Sequence, residues 1–250
     1  MKFISKFKNY ILTCLYEKKG LPRIVNGETY RCIPQYRWYF SKEYDNPVAK
    51  YFKQKIRPGD HCVSIGSNMG IYPLQFARWV GRNGTVYAFE PNPETSKVLR
   101  KHVELNDFSD QIIVHQKAIS DKEGYSVFHA SETDGMSRLG EENQLLRGKT
   151  KAIQVEVVTI DNQFINGRID ALMMDIEGFE IAALKGAQRF LKTELPKAMV
   201  IEMHPNAWNV ANTSKEDLLK ILTDHDLKVI SLSGQNDPLS EYGHIALERN

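Results

Sequence analysis

From Pro58 onward the chain alternates short apolar strands with amphipathic helices, and few folds tolerate that order. Residues 60–65, 85–89, 112–118, 171–174 and 199–202 read as strands. Residues 71–80, 93–105, 179–191 and 214–224 read as helices, with apolar side chains at helical spacing. Parallel strands need a crossover between them, and a helix supplies one while covering a face of the sheet. The expected architecture is therefore α/β, a mostly parallel sheet with helices on both faces. Residues 228–232 and 244–248 have no helix between them, so that pair is expected to be antiparallel. Extra strands at 125–128 and 153–160 interrupt the alternation. Between them, residues 131–150 are polar and glycine-punctuated, either a lid over a site or a surface excursion.

Residues 1–57 form an extension ahead of a 58–250 domain. Phe3, Ile4, Phe7, Tyr10, Ile11, Cys14 and Leu15 recur at helical spacing among several lysines. A basic amphipathic helix over residues 1–18 can lie on an anionic membrane face, although packing on its own domain is favoured. A hairpin follows, 23–25 with 29–33 around Asn26-Gly27, and a helix begins at Asn46-Pro47. The aromatic run Tyr36-Arg37-Trp38-Tyr39-Phe40 reads as a hydrophobic latch before a sugar-stacking surface.

Lys and Arg number 33 against 31 Asp and Glu, so no overall field draws the protein to nucleic acid, and no nucleic-acid partner is expected. Three widely spaced cysteines, Cys14, Cys32 and Cys62, make no disulfide framework and read as buried thiols in a reducing compartment. No apolar run approaches the ~20 residues that cross a bilayer, and the first residues do not form a signal peptide. The expected location is cytoplasmic, with peripheral membrane contact through residues 1–18 as an option. Oligomeric state is not legible.

The chemistry starts at Ile65-Gly66-Ser67-Asn68-Met69-Gly70, a glycine loop between a strand and a helix. Ligands of parallel α/β sheets bind outside the carboxyl ends of the strands. Glu90, 24 residues after Gly66, ends the next strand, where a carboxylate can accept both ribose hydroxyls of a nucleoside cofactor. A dinucleotide fingerprint would need glycine at Asn68 and Ile71, which argues against a nicotinamide oxidoreductase. No phosphate-binding P-loop occurs either. S-adenosylmethionine, which has a ribose but no phosphate, suits this spacing better. The plain alternative is a glycine turn that only packs a helix on the sheet.

Asp175, Glu177, Glu202 and His204 gather at the carboxyl ends of the fourth and fifth strands. Methyl transfer to a hydroxyl needs alignment and removal of one proton. His204, with an ordinary value near 6.5, and Asp175 are the alternative bases. Asp175 and Glu202, with Glu177, are candidate ligands for a divalent cation. Glu180 reads as a structural carboxylate in a helix's first turn. Met136, Ser137 and Arg138 are placed to face an acceptor.

The glycine loop, Val86-Tyr87-Ala88-Phe89-Glu90-Pro91-Asn92-Pro93 and Asp175-Ile176-Glu177-Gly178-Phe179-Glu180 together resemble the FkbM-type methyltransferases. Leu184-Lys185-Gly186-Ala187 and Ile201-Glu202-Met203-His204 follow in that family's order, so the resemblance spans residues 58–204. It implies a class I methyltransferase Rossmann-like fold with a seven-stranded sheet, and S-adenosylmethionine-dependent O-methylation of a sugar, glycoconjugate or secondary-metabolite hydroxyl. Gly66, Ser67, Asn68, Gly70, Glu90 and Pro91 would bind the cofactor, with Ala118, Ile119 and Ser120 beside the adenine. Asp175, Glu177 and His204 would be catalytic. The family commonly carries an acidic residue where this chain has Ser64, and that carboxylate helps hold the cofactor's amino group. Losing such a charge-assisted bond is worth ~1.5–3 kcal/mol. Asp60 is too far along the strand to replace it. A cofactor-binding scaffold without turnover is the alternative this substitution raises.

Overall fold

The computed structural model describes residues 12–16, 18–131, 137–142, 149–165, 167–193 and 195–250. A hairpin, β1 (Leu21–Val25) with β2 (Glu28–Cys32), precedes helix α1 (Asn46–Lys55). Asn26 and Gly27 both take left-handed φ, 49° and 82°, as a tight hairpin turn between right-twisted strands requires. Then come β3 (His61–Ile65), α2 (Ile71–Val80), β4 (Thr85–Phe89), α3 (Pro93–Leu105) and β5 (Ile112–His115). Pro93 at the start of α3 fits because the first helical turn has no use for its missing N–H, and Asn92 caps the Glu94 amide.

The chain next leaves the main sheet to build a second one from β6 (Ala118–Ile119), β7 (Gly124–Ser131), β8 (Arg138–Leu139) and β9 (Thr150–Val158). It returns through α4 (Ile160–Gln163) to β10 (Ala171–Met174), α5 (Glu180–Lys185), α6 (Gln188–Thr193), β11 (Ala198–Met203), α7 (Lys215–Asp224), β12 (Leu227–Ser231) and β13 (Gly243–Arg249). The seven-stranded order is β12-β13-β11-β10-β3-β4-β5, and β13 alone runs antiparallel to its neighbours. The class I methyltransferase architecture is thus the observed fold.

Strand alternation divides the core between the two faces. Val63, Ile65, Leu172 and Met174 face the side covered by α5, α6 and α7. Cys62, Met173 and Val200 face the other, where α2, Phe52 of α1 and hairpin residues Val25 and Tyr30 join the same buried cluster. Every residue of β10 is buried, as a central parallel strand demands.

Three elements differ from expectation. The helix read over 179–191 is two helices, because Gly186 lies against the chain at Ser120, where a Cβ would come within 2.3 Å of the carbonyl oxygen. The third strand stops at His115, and Ala118–Ile119 belong to the second sheet. Within the segment read as a loop or lid, Arg138 and Leu139 pair with β7. Residues 1–11 and Met136 lie outside the described residues. Cys32 and Cys62 are buried free thiols, whereas Cys14 is exposed. Among the described residues no helix is long and apolar enough to cross a membrane.

Candidate active site

The turn after β3 is built for close approach. Gly66, at φ 76°, passes so near β10 that a Cβ would sit 1.7 Å from the Asp175 carbonyl oxygen. The Gly66 and Ser67 amides both donate to the Phe89 carbonyl, at 3.0 and 2.8 Å, tying the turn to β4. Asn68 takes φ 47°, and its amide donates to Glu90 Oε2 at 2.8 Å. The Asn92 amide donates to Glu90 Oε1 at 2.9 Å. Burial pushes the Glu90 carboxyl up to about 7, and these two amide bonds pull against it. Glu90 is thereby fixed at the mouth of β4, each oxygen held by one amide with a second lone pair left over.

Gly66, Asn68, Glu90, Pro91, Ala118, Ile119, Asp175 and Glu177 all line one cavity, together with Ser137 and Arg138. It encloses ≈ 610 Å³ including its open mouth, within the range of small-molecule sites. Ser67 and Gly70 are not on its wall. The Ser67 hydroxyl turns inward to the Ser64 carbonyl at 2.9 Å, and Gly70 meets Leu99, so both shape the turn rather than the cavity surface. Ser120 likewise lies outside this wall. Thr95, Lys117 and Phe128 do line it, and sequence reading had no signal for them.

Register places Gly66, Asp175, Glu202 and His244 side by side, one step beyond or within β3, β10, β11 and β13. Glu177, at φ 54°, and Gly178, at φ 107°, make a left-handed turn just after β10, and a Cβ on Gly178 would collide with Ala207. That turn swings Glu177 back toward His204. His204 Nε2 is 3.9 Å from both Asp175 Oδ1 and Glu177 Oε2, beyond hydrogen-bond reach of either. Its Nδ1 donates to the fully buried Glu180 carboxylate at 2.9 Å. The Trp208 indole and the Gly178 amide donate to the same carboxylate, at 3.2 and 2.8 Å.

Charge in this cluster departs from ordinary values. Burial pulls the His204 imidazole down, but the Glu180 hydrogen bond and the charges of Glu180, Asp175 and Glu177 outweigh it and raise the group to about 10. The ordinary value near 6.5 that recommends His204 as a base does not hold here. At neutral pH it is an imidazolium. Burial pushes Asp175 well above the usual carboxylate range, with the Glu202 charge adding to it. Burial also raises Glu177, to about 7. Asp175 Oδ1 is buried and accepts no hydrogen bond.

Asp175 and Glu202, the pair read from sequence as metal ligands, stand side by side at the ends of β10 and β11, with Glu202 the foremost charge acting on Asp175. Among the described residues, one group of three has its ligand atoms within 4.8 Å of one another, Asp175, Glu177 and His204. Glu202 instead takes the Tyr242 hydroxyl and lies 3.5 Å from His244 Nε2, which hold its carboxyl at about 2 despite burial. Glu180, read from sequence as a helix-end carboxylate, orients His204. Its signal was the third acidic residue of the Asp-x-Glu-Gly-x-Glu block.

Residues 64–229 match the methyltransferase FkbM domain. The chain belongs to that family. It is an S-adenosylmethionine-dependent methyltransferase, and the glycine turn that any Cβ would block, with Glu90 beside it, fits that cofactor. No curated protein gives a significant match. Among solved structures, one from Clostridium thermocellum, provisionally described as an rRNA methylase, is 12% identical. It has a TM-score of 0.51 over 80% of this chain and 90% of its own. A Thermotoga maritima S-adenosylmethionine-dependent O-methyltransferase is 13% identical, with a TM-score of 0.48 over 95% and 81%. Aeropyrum pernix fibrillarin with bound S-adenosylmethionine is 15% identical, at 0.46 over 92% and 83%. At such identities the likeness is one of fold, and only the first exceeds half on the TM scale.

Proposed function

We propose that this methyltransferase is an O-methyltransferase whose acceptor is a hydroxyl of a sugar or glycoconjugate. The observation that carries the reading is the buried, unpartnered Asp175 Oδ1 on the cavity wall beside Glu177. S-adenosylmethionine supplies a methyl group on a sulfonium centre, ready for in-line displacement. A hydroxyl acceptor must lose its proton as it attacks, and a carboxylate of raised basicity is suited to take it. Asp175 is the group we assign to that role. The His204 charge, 3.9 Å away, offsets part of the rise that burial gives Asp175 and Glu177, and so favours the ionised form that a base needs. The Tyr242 ring, 5.4 Å from the His204 ring and largely exposed, offers a stacking face for a sugar.

The test is methyl transfer from labelled donor to nucleotide sugars, free oligosaccharides, and phenolic or polyketide alcohols. Base-stable methyl ethers on the sugars support the reading. Transfer only to the non-sugar alcohols moves the acceptor to a secondary metabolite. Transfer to none of them by protein that binds the donor leaves a scaffold. Recovery of the enzyme with membranes, with and without residues 1–18, tests whether that segment brings it to a lipid-linked acceptor.

A divalent cation on Asp175, Glu177 and His204 is the second reading, favoured by their clustering. It requires Nε2 to be unprotonated, against the pull of Glu180. Activity lost on chelation and restored by Mg²⁺ or Mn²⁺ carries the cation; an unchanged rate carries the ion pair.

A further inference from the structure

We infer that Asp45, carried in by the segment before the main domain, is the counter-ion for the amino group of the cofactor's methionyl tail; the inference rests on S-adenosylmethionine being the donor. With the ribose at Glu90 and the adenine end toward Ala118, a methionyl tail would extend past the end of β3, on the side of its neighbours β10 and β11. The tail ends in an ammonium and a carboxylate, and an ammonium taken out of water needs a carboxylate partner. The end of β3 offers Ser64, which is 1% exposed and uncharged.

Three carboxylates approach that face. Glu202 is engaged by Tyr242 and His244. Asp175 is raised by burial and by the neighbouring Glu202 and Glu177 charges, and stands 3.9 Å from His204 on the cavity wall. Asp45 accepts the Tyr72 hydroxyl at 3.0 Å and stops 4.0 Å short of His244 Nε2. Its position is unusual for its type. Asp45 is the N-cap of α1, where aspartate normally accepts from the first helical amides, yet its side chain caps nothing. It takes φ 41° and ψ 50°, a left-handed conformation that non-glycine residues rarely keep.

A second observation concerns His244. Its side chain is 9% exposed, and its Nε2 points between Glu202 at 3.5 Å, the limit of a hydrogen bond, and Asp45 at 4.0 Å, so this buried nitrogen is only weakly satisfied. Buried polar atoms are nearly always satisfied, so unfilled capacity on His244 and on Asp175 Oδ1 of the same row marks the place of a polar ligand.

The segment that carries Asp45 is tied to the glycine turn. The Asn68 side-chain amide donates to the Tyr39 hydroxyl. His102 Nδ1 donates to the Met69 carbonyl at 2.7 Å while Nε2 accepts the Ile33 amide at 3.1 Å. Asn26 grips both the amide and the carbonyl of Tyr44, at 3.0 and 2.8 Å. Asp45 therefore stands in a fixed relation to the turn that receives the cofactor.

The experiment is calorimetric titration of the full chain and of Asp45→Asn with S-adenosylmethionine, S-adenosylhomocysteine and 5′-methylthioadenosine. The last keeps the nucleoside and thioether but lacks the amino-acid tail. Asp45→Asn should weaken the two tailed ligands by about 10–100-fold and leave methylthioadenosine within about twofold. Tyr72→Phe frees the carboxylate without removing it, and should give a smaller loss with the same selectivity for the tail. Equal losses on all three ligands, or no loss on any, overturn the inference while the donor stands. Wild-type protein that binds none of the three overturns the donor and the inference together.

Discussion

The buried Glu180 carboxylate accepts the His204 Nδ1–H at 2.9 Å, and Trp208 and Gly178 donate to it as well. Because Glu180 cannot turn away, the charge of His204 is set from behind, and the imidazolium presents Nε2 to Asp175 and Glu177.

This contact links stability to pH. The folded value of His204 is about 10 against 6.5 for the free group. The stabilisation is therefore fully present below about 6.5 and is lost as pH rises toward 10. Glu180→Gln should cost about 3 kcal/mol at pH 6.5 by urea denaturation, and the gap to wild type should narrow at pH 10. A gap independent of pH would mean that Glu180 acts by packing alone.

Glu90→Ala should abolish detectable donor binding, because the carboxylate fixes both the turn and the ribose position. Its value near 7 adds a pH signature. Ribose hydroxyls donate best to the ionised form, so Kd should rise as pH falls below about 7. Titration of S-adenosylhomocysteine between pH 6 and 8 reads this, and the dependence should vanish in Glu90→Gln.

Asp175→Asn should lower kcat on an accepted hydroxyl substrate by about 10²–10⁴-fold with donor Kd near wild type. The wild-type rate should climb as pH rises through about 7, where Glu177 ionises. Steady-state rates over pH 5.5–9 check both, and a flat profile would remove these carboxylates from proton transfer.

Gly66→Ala should destabilise the fold by about 2–4 kcal/mol, since the left-handed φ and the clash with the Asp175 carbonyl act together. Thermal melting measures it. Gly27→Ala has open space around the new methyl group and should lose only the smaller conformational part.

The α/β class, the four helix and strand spans at 71–80, 85–89, 93–105 and 171–174, and the antiparallel closing pair followed from the sequence alone. The first three of those spans are bounded by Gly, Pro or Asn and the last is an apolar run between Asp170 and Asp175, so local propensity and burial agree there. The glycine turn and Glu90 were legible for a related reason, since a tight turn and a strand end constrain residue type within a few positions. Only the tertiary structure decided what charge each side chain carries. Glu180 and His204 lie 24 residues apart, and Asp45 meets Tyr72 across 27. Proton affinity depends on burial and on charges within a few ångströms, and a linear pattern carries neither quantity. The sequence thus determined the sheet and the glycine turn at its edge, while packing set the His204 imidazole beside Glu180 and brought Asp45 to Tyr72 and His244.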